Sequence, residues 1–184
     1  MKKLVIALAL LPLLSFSQTK PKHTISVFAV GSEPGQLGLS YEHMRDKKEM
    51  GYNVSSILNL SAGAIILEND LGKDITGTGV VVDLGNRTYL KKESWGKFYI
   101  DNYLTYGNIK FDEEVAPGIK YTGTYSYWSI VNPAIGYKYN IGGFSIDPSV
   151  GFNWKWEVKG KGDVDNKSID NFAVKFGLKV GYSF

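Results

Sequence analysis

Apolar and polar residues alternate without a break along the end of the chain. From Phe172 to Phe184 every second side chain is apolar or aromatic, and the residues between them are alanine, glycine, serine or lysine. Side chains of a β-strand point alternately to the two faces of a sheet. The pattern therefore predicts one long strand with an apolar face and a face of small or charged residues.

Two segments upstream repeat the alternation. Residues 144–158 have aromatic, aliphatic or proline side chains at even positions, and residues 121–141 have most of their apolar side chains at odd positions. Trp128 and Ile130 break the pattern in the second segment. Pro133 and Pro148 each lack a backbone N–H for a sheet hydrogen bond, so we expect a bulge or a bend at each.

A two-residue turn, Gly142-Gly143, joins these two segments. Glycine pairs suit the tight hairpin turns that need positive φ angles. Such a turn sets Ile141 opposite Phe144, and the register that follows sets apolar residues opposite each other as far as Val131 and Trp154. The register from the turn and the facing from the alternation are independent inferences, and they agree.

Weaker alternation predicts five earlier strands, which gives eight in all. They lie near residues 24–31, 36–44, 50–67, 78–90 and 97–111. The connections after the second, fourth and sixth strands are short, near 46–48, 92–96 and 142–143. Those after the third, fifth and seventh are longer and more polar, near 68–77, 112–120 and 159–170, while the first, 32–35, is a short exception. Short turns at one end and long loops at the other are typical of outer-membrane barrels.

Alternation alone does not distinguish a membrane barrel, which is apolar outside, from a soluble lipocalin-like barrel, which is apolar inside and binds an apolar ligand. The polar faces favour the membrane barrel, because they are rich in the glycine and serine that a crowded interior needs. They also carry both signs of charge at mid-strand. We expect ten charged side chains to pair inside the barrel: Glu42, Asp83, Arg87, Asp101, Lys138, Asp147, Lys155, Glu157, Lys175 and Lys179. An eight-stranded barrel is just wide enough for side chains to fill.

Aromatic residues gather towards both ends of the predicted strands. Those near the short turns are Trp95, Phe98, Tyr137, Tyr139, Phe144, Tyr182 and Phe184. Those near the long loops are Phe111, Tyr121, Tyr125, Tyr127, Trp154, Trp156 and Phe172. Two aromatic girdles are typical of a barrel whose ends meet the headgroup regions of a bilayer. We therefore predict an all-β fold, an eight-stranded antiparallel up-and-down transmembrane β-barrel.

The first residues predict a signal peptide for export. Lys2 and Lys3 precede an apolar run at residues 4–14, and Ser15 and Ser17 are spaced like a signal-peptidase site. The run is too short for a transmembrane helix, which needs roughly 20 apolar residues. We expect a signal peptide at 1–17 and one outer-membrane barrel domain at 18–184.

Composition excludes several classes of function. Without residues 1–17, the 21 basic residues of the chain fall to 19 against 18 acidic ones, so nothing indicates a surface for nucleic acid. The chain has no cysteine, which excludes disulfides, thiolate metal sites and a lipid-modified cysteine. We expect no cofactor.

The export signal, the alternating strands and the terminal Val180, Tyr182 and Phe184 together resemble the small bacterial outer-membrane β-barrels of the OmpX and OmpA-barrel type. This resemblance implies a location in the cell outer membrane. In those families the barrel-assembly machinery reads a C-terminal aromatic residue that follows alternating apolar ones. The resemblance thus implies that Val180, Tyr182 and Phe184 form the assembly signal. It also implies outer-membrane lipid and that machinery as partners of a monomeric barrel.

The sequence offers little for catalysis. The resemblance allows lipid-modifying barrels, which work with a histidine and a serine near the outer leaflet. Neither His23 nor His43 lies at the long-loop end of the predicted strands, so we do not expect an enzyme.

Two further alternatives are weaker than a barrel that acts through structure. The last loop contains Asp163, Asp165, Asn166 and Asp170, but it lacks the glycine and the distal glutamate of an EF-hand, so a solvated loop is favoured over a calcium site. A narrow channel conflicts with a lumen full of side chains. We predict a non-enzymatic barrel for envelope structure or surface-loop interaction.

Overall fold

The computed structural model describes residues 22–47, 52–68, 74–90, 96–163 and 169–184. The predicted signal peptide at 1–17 lies outside the described residues, as do Trp95 and parts of the predicted turns at 46–48 and 92–96. Among the described residues, no helix is long and apolar enough to cross a membrane.

The described residues form a closed antiparallel barrel. Its strands are β1 (His23–Gly31), β2 (Gly35–Lys47), β3 (Tyr52–Glu68), β4 (Asp74–Tyr89), β5 (Gly96–Ala116), β6 (Ile119–Val131), β7 (Pro133–Ile141), β8 (Phe144–Gly162) and β9 (Phe172–Ser183). β1 pairs with β9, so the sheet closes on itself. β6 and β7 follow one another in the same strand position of the barrel wall, since both pair with β5 on one side and with β8 on the other. The wall therefore has eight strand positions, and the predicted eight-stranded up-and-down barrel is confirmed.

Asn132 separates β6 from β7, so the prediction of a single strand at 121–141 is wrong. The register between β6 and β8 shifts between Trp128 and Val131. An extra residue in one strand reverses the faces of the residues that follow it. Trp128 and Ile130 therefore face outward, as Val131 does, although their numbers have opposite parity.

The hairpin between β7 and β8 has the predicted register. Gly142 adopts a positive φ of 64° in the turn. Ile141 pairs with Phe144, and Val131 pairs with Trp154 at the far end, as the glycine turn required. Pro148 lies at a gap in the pairing of β8 with β7, although β8 keeps its register on both sides of the gap.

Large apolar side chains cover the outside of the barrel. One outward row crosses five adjacent strands in the order Val180, Val27, Leu39, Leu60 and Val82. The first four of these side chains have exposed fractions of 50–59%. A soluble barrel would enclose such a row, whereas a membrane barrel presents it to hydrocarbon. The facing that the sequence predicted for a membrane barrel is confirmed.

Interior glycines stand opposite interior tyrosines. Gly85 pairs with Tyr103, and Gly107 pairs with Tyr127. A Cβ atom at Gly85 would lie 2.3 Å from the Tyr103 ring, and one at Gly107 would lie 2.2 Å from the Tyr127 ring. The small residues of the polar face thus leave the space that the large interior rings fill.

At the end of the barrel opposite the short turns, several strands continue beyond their predicted bounds. β4 begins at Asp74, and β8 continues to Gly162. The predicted loop at 112–120 is wrong, because β5 and β6 run through it as a hairpin that turns at Gly118, whose φ is 79°. β5 has 21 residues, whereas about 9–11 residues suffice to cross a membrane.

We call these continuations the sheet extension: residues 65–68, 74–79, 108–116, 119–126 and 159–162. Here the two faces exchange their character. The inward side chains form an apolar core that reaches down to Val81, with Ile65, Leu67, Ile75, Val81, Ile109, Phe111, Val115, Tyr125, Tyr127 and Ile169. Most outward side chains become polar, with Thr76, Thr78, Asn108, Lys110, Asp112, Thr122 and Thr124, while Ile66 and Ile119 are apolar and exposed. Water replaces lipid on the outer face above a membrane, so the extension is organised like a soluble sheet.

This exchange of faces corrects the predicted girdle near the long loops. Phe111, Tyr125 and Tyr127 are buried in the interior, and Tyr121 packs against the same apolar core. For the three tyrosines, the prediction carried the parity of residues 131–141 past the bulge. Phe111 of β5 lies in the sheet extension, where apolar side chains face inward. Four tyrosine and phenylalanine positions were therefore assigned to the wrong face.

The observed girdle at this end is an aromatic row across three strands. Tyr106 pairs with Trp128, which pairs with Trp156. The ring centroids of Tyr106 and Trp128 are 4.9 Å apart. Trp154 and Phe172 are exposed beside them, as predicted. At the short-turn end, Tyr41, Phe98, Tyr139, Phe144 and Phe184 are exposed.

Substituting Gly107→Ala tests the fit between glycine and ring. We expect a loss of about 1–3 kcal/mol in the free energy of unfolding, because the added methyl overlaps the fully buried Tyr127 ring. Gly31→Ala is the matched control, since the nearest atom to its Cβ is 3.9 Å away. Urea unfolding in detergent micelles measures both variants. Equal midpoints for the two would show that the interior tolerates the methyl.

Candidate functional site

A buried arginine lies at the centre of the barrel half nearest the short turns. Arg87 is 1% exposed. Its Nε and Nη2 donate to the two carboxylate oxygens of Asp101, at 2.8 and 2.9 Å. Its Nη1 donates to Asp147 Oδ2 at 2.6 Å and lies 3.5 Å from Glu42 Oε2. The planar guanidinium of β4 thus joins carboxylates from β2, β5 and β8 across the lumen.

Lys138 supplies a second positive charge to this cluster. Its Nζ donates to Glu42 Oε2 at 2.9 Å and to Thr24 Oγ1 at 3.1 Å. Each carboxylate also accepts a phenol hydrogen: Tyr89 donates to Glu42 at 2.5 Å, Tyr103 donates to Asp101 at 2.7 Å and Tyr99 donates to Asp147. We call Glu42, Arg87, Asp101, Lys138 and Asp147 the charged plug.

The three tyrosines of this cluster are not among the interior residues predicted from the sequence. Tyr99 and Tyr103 share odd-numbered positions of β5 with Asp101, and Tyr89 stands two residues from Arg87 in β4. Residues two apart in a strand face the same side. That spacing was the signal that could have assigned these phenols to the interior.

A second polar layer lies towards the sheet extension. Lys179 Nζ donates to Ser40 Oγ at 3.1 Å and to Asn59 Oδ1 at 3.2 Å. Asp83 accepts from Asn59 Nδ2 at 3.1 Å and from Thr105 Oγ1 at 2.7 Å. These side chains come from five strands and meet inside the wall. The charged plug and this layer together fill the lumen at two levels.

A small cavity remains beside the second layer. Its volume is about 40 Å³, and Asp101, Asn153 and Lys175 are among the residues that line it. Lys175 Nζ donates to Asn132 Oδ1. The cavity has room for a few water molecules, and its polar lining suits them.

The structure places all ten predicted interior charges on the inward face. Seven of them are buried: Glu42, Asp83, Arg87, Asp101, Lys138, Asp147 and Lys155. Glu157, Lys175 and Lys179 are partly buried. The ten do not form one cluster. Lys155 Nζ donates to the carbonyl of Glu33 in the first connection at 2.8 Å, and Glu157 Oε2 has no hydrogen-bond partner among the described residues.

A basic groove lies on the outward face of the sheet extension. It has a volume of about 420 Å³. Thr124 of β6 pairs with Lys110 of β5 on one side and with Lys161 of β8 on the other. The two long lysines flank the short threonine, and Thr122 also lines the groove. Lys159, two residues before Lys161, pairs with Ser126 on the same face.

The two histidines lie together at the short-turn end. Their ring centroids are 4.8 Å apart, and His23 Nδ1 lies 2.7 Å from the hydroxyl of Tyr41. Nδ1 of His43 is buried without a hydrogen-bond partner among the described residues. The structure therefore brings no serine into hydrogen-bond contact with that atom of His43. Within the described ranges, no group of three or more acidic or histidine residues is arranged to hold a metal ion.

The proposed assembly residues lie on the outward face of the last strand. Val180 and Phe184 are about half exposed, and Tyr182 is partly exposed. The backbone of Phe184 closes the barrel, because its carbonyl accepts from the N–H groups of Lys22 and His23 at 3.1 and 3.0 Å.

No protein-family model and no curated protein matches the chain. Solved structures of bacterial outer-membrane barrels are similar to it. The N-terminal β-barrel domain of Pseudomonas aeruginosa OprF superposes with a TM-score of 0.55 at 16% identity, over 88% of this chain and 96% of that domain. A major outer membrane protein from Thermus thermophilus gives 0.54 at 14% identity, over 88% of this chain and 99% of that one.

Ail, the attachment invasion locus protein of Yersinia pestis, is also similar. Its TM-score is 0.50 at 15% identity, over 90% of this chain and all of Ail. At these identities the likeness concerns the fold. The chain has the fold of the small bacterial outer-membrane β-barrels.

Removing the central cation tests the role of the charged plug. We expect Arg87→Met to lower the free energy of unfolding by about 3–5 kcal/mol, because Asp101 and Asp147 then remain buried without their ion pair. Arg45→Met is the matched control, since Arg45 is exposed near the end of β2. Urea unfolding of the refolded barrels measures both.

A rescue variant distinguishes lost charge balance from lost packing. Adding Asp101→Asn and Asp147→Asn to Arg87→Met removes the uncompensated carboxylates and should restore part of the stability. If the triple variant is less stable than Arg87→Met alone, the loss comes from packing and hydrogen bonds rather than from charge.

Proposed function

We propose that this chain is a non-enzymatic barrel of the bacterial outer membrane that holds the sheet extension above the membrane for contact with envelope components or other surfaces. The carrying observation is the exchange of faces along β3, β4, β5 and β6. Below the aromatic row, the outside is apolar and the inside is polar. Above it, the inside is apolar and the outside is polar.

The filled lumen supports a structural role over transport. The charged plug crosses the barrel with four ion-pair contacts at 2.6 to 3.5 Å. A passage for solutes would require this cluster to separate, and separating a buried ion pair is costly. The alternative of a soluble barrel that binds an apolar ligand has no support from the geometry, because the apolar side chains at mid-barrel face outward.

The solved neighbours support the location and are compatible with surface contact. Both the OprF domain and the Thermus protein are bacterial outer-membrane barrels, and Ail carries the name of an attachment and invasion protein. The sheet extension gives such a role a rigid platform, because its strands enclose a core of their own. Contact with other surfaces would use its polar outward face.

Lysine substitutions at two outward positions test the membrane location. Leu39 and Ile66 both face outward and are 59% and 65% exposed. Leu39 belongs to the apolar row of Val180, Val27, Leu39, Leu60 and Val82, whereas Ile66 belongs to the sheet extension. In lipid, Leu39→Lys should cost about 2–4 kcal/mol, and Ile66→Lys should cost less than about 1 kcal/mol.

Unfolding in phospholipid vesicles measures this difference. The same proteins should occur in the outer-membrane fraction of expressing cells and shift on a gel when boiled. Equal, small effects of both lysines, with a soluble protein that shows no heat shift, would contradict the proposal.

We also propose that Val180, Tyr182 and Phe184 form the assembly signal. Phe184→Ala should lower the amount of assembled barrel in cells several-fold while leaving the unfolding midpoint of refolded protein nearly unchanged, because the barrel-closing bonds of Phe184 use its backbone. Phe98→Ala is the matched control. It removes an aromatic ring from the same girdle with a similar exposed fraction, 56% against 51%, and its ring packs on Tyr137 rather than on a residue of the proposed signal. Equal assembly of both variants would refute the signal.

A further inference from the structure

We propose that the basic groove binds the phosphate-bearing headgroup of a membrane lipid in the leaflet next to the sheet extension. Its cations are Lys110 and Lys161, which line the groove, and Lys159, which lies one row below it on the same face. This inference rests on the proposed membrane location and adds a specific lipid contact to it.

The groove lies at the height where lipid headgroups meet the barrel. Lys159 belongs to the outward row directly above the aromatic row of Tyr106, Trp128 and Trp156. Lys110 and Lys161 belong to the next row. Two residues along a strand advance about 7 Å. The backbone positions of the three lysines therefore lie within roughly 14 Å of the aromatic row. Aromatic side chains of this kind mark the headgroup level of a bilayer.

The charges in the groove are positioned for an anion. All three lysine side chains are exposed, and none of them makes an ion pair with another described residue. Two acidic residues, Asp112 and Asp163, lie at the upper end, away from the aromatic row. Asp163 Oδ2 accepts from the backbone N–H of Thr122 at 2.9 Å. The positive charge is therefore concentrated at the end nearest the lipid.

The geometry of the groove suits a phosphate group. Lys110 and Lys161 are two strands apart, about 10 Å between backbones, and their flexible side chains can converge on one anion above Thr124. Thr124 and Thr122 offer hydroxyl donors on the floor. One row further down, beyond Asn108, Ser126 and Lys159, the apolar surface begins with Trp128 and Trp156, which are exposed. A molecule with a phosphate above and hydrocarbon below matches both parts, whereas a free anion uses only the first.

A titration of the purified, folded full-length barrel with lipid A tests the site. Lipid A is a glycolipid with two phosphate groups, and its dephosphorylated form is the chemical control. We expect the diphosphorylated form to bind more tightly. The triple variant Lys110→Gln, Lys159→Gln and Lys161→Gln should bind it about 100-fold more weakly, or roughly fivefold per lysine.

A second triple variant is matched in charge. Lys22→Gln, Arg45→Gln and Lys120→Gln remove three exposed cations outside the groove, and we expect affinity within about twofold of the unchanged protein because cations outside the groove do not contact the headgroup. Equal losses in the two triple variants would overturn the site and leave only a general charge effect. Equal binding of the dephosphorylated lipid would overturn the role of phosphate.

Two further measurements identify the source of any failure. Displacement of lipid A by millimolar inorganic phosphate would show a site for free anions and overturn the lipid assignment. Every variant is first checked for its heat shift on a gel. A folded barrel without lipid preference refutes the groove alone, whereas a protein that never inserts into vesicles refutes the proposed membrane location.

Discussion

Hydrocarbon offers no hydrogen bonds to a polypeptide, and this constraint determines the rest of the structure. Each backbone N–H and C=O in the lipid must find its partner within the protein, so the sheet must close. The pairing of β1 with β9, completed by the bonds of Phe184 to Lys22 and His23, provides the closure. With the wall closed, every strand has one face towards lipid and one towards a narrow lumen.

The lumen then has to be filled by side chains that the lipid face cannot accept. Arg87, Lys138 and three carboxylates accomplish this by bringing opposite charges from five strands into contact. The glycines opposite Tyr103 and Tyr127 provide the space that a narrow barrel lacks. Pairing, charge balance and small residues are thus three consequences of one closed wall. None of them requires a ligand.

Strand register and the facing of side chains were predictable from the sequence wherever they follow period-two alternation within the membrane. The register from Ile141–Phe144 to Val131–Trp154 followed from one glycine turn and agrees with the structure. Alternation failed where a residue was inserted, near Trp128, because parity carries no record of a bulge. The same bulge misplaced Tyr125 and Tyr127. Alternation failed again at Phe111, since an apolar residue faces outward in lipid and inward in water. The residue pattern alone does not indicate whether lipid or water surrounds a given part of a strand.

The candidate site was predictable in part for the same reason. Charges such as Arg87 and Asp101 stand out in an otherwise apolar strand, and their parity places them on one face. Their partners depend on which strands lie across the lumen, and β2, β5 and β8 are far apart in sequence. The basic groove was hidden for a different reason. Lys159 and Lys161 share their odd numbers with the interior Lys155 and Glu157, and the bulge in β8 next to Val158 turns them outward.

The bulge near Val158 therefore connects the interior of the barrel to its outer surface. Before it, the odd-numbered residues of β8 contribute Asp147 and Lys155 to the lumen. After it, the odd-numbered residues contribute lysines to the exposed face of the sheet extension. The shift coincides with the level at which Val158, two residues beyond Trp156, ends the exposed apolar surface of β8. One inserted residue thus exchanges the faces of β8 where the surrounding solvent changes, so its cations lie inside the barrel at membrane depth and outside it in water.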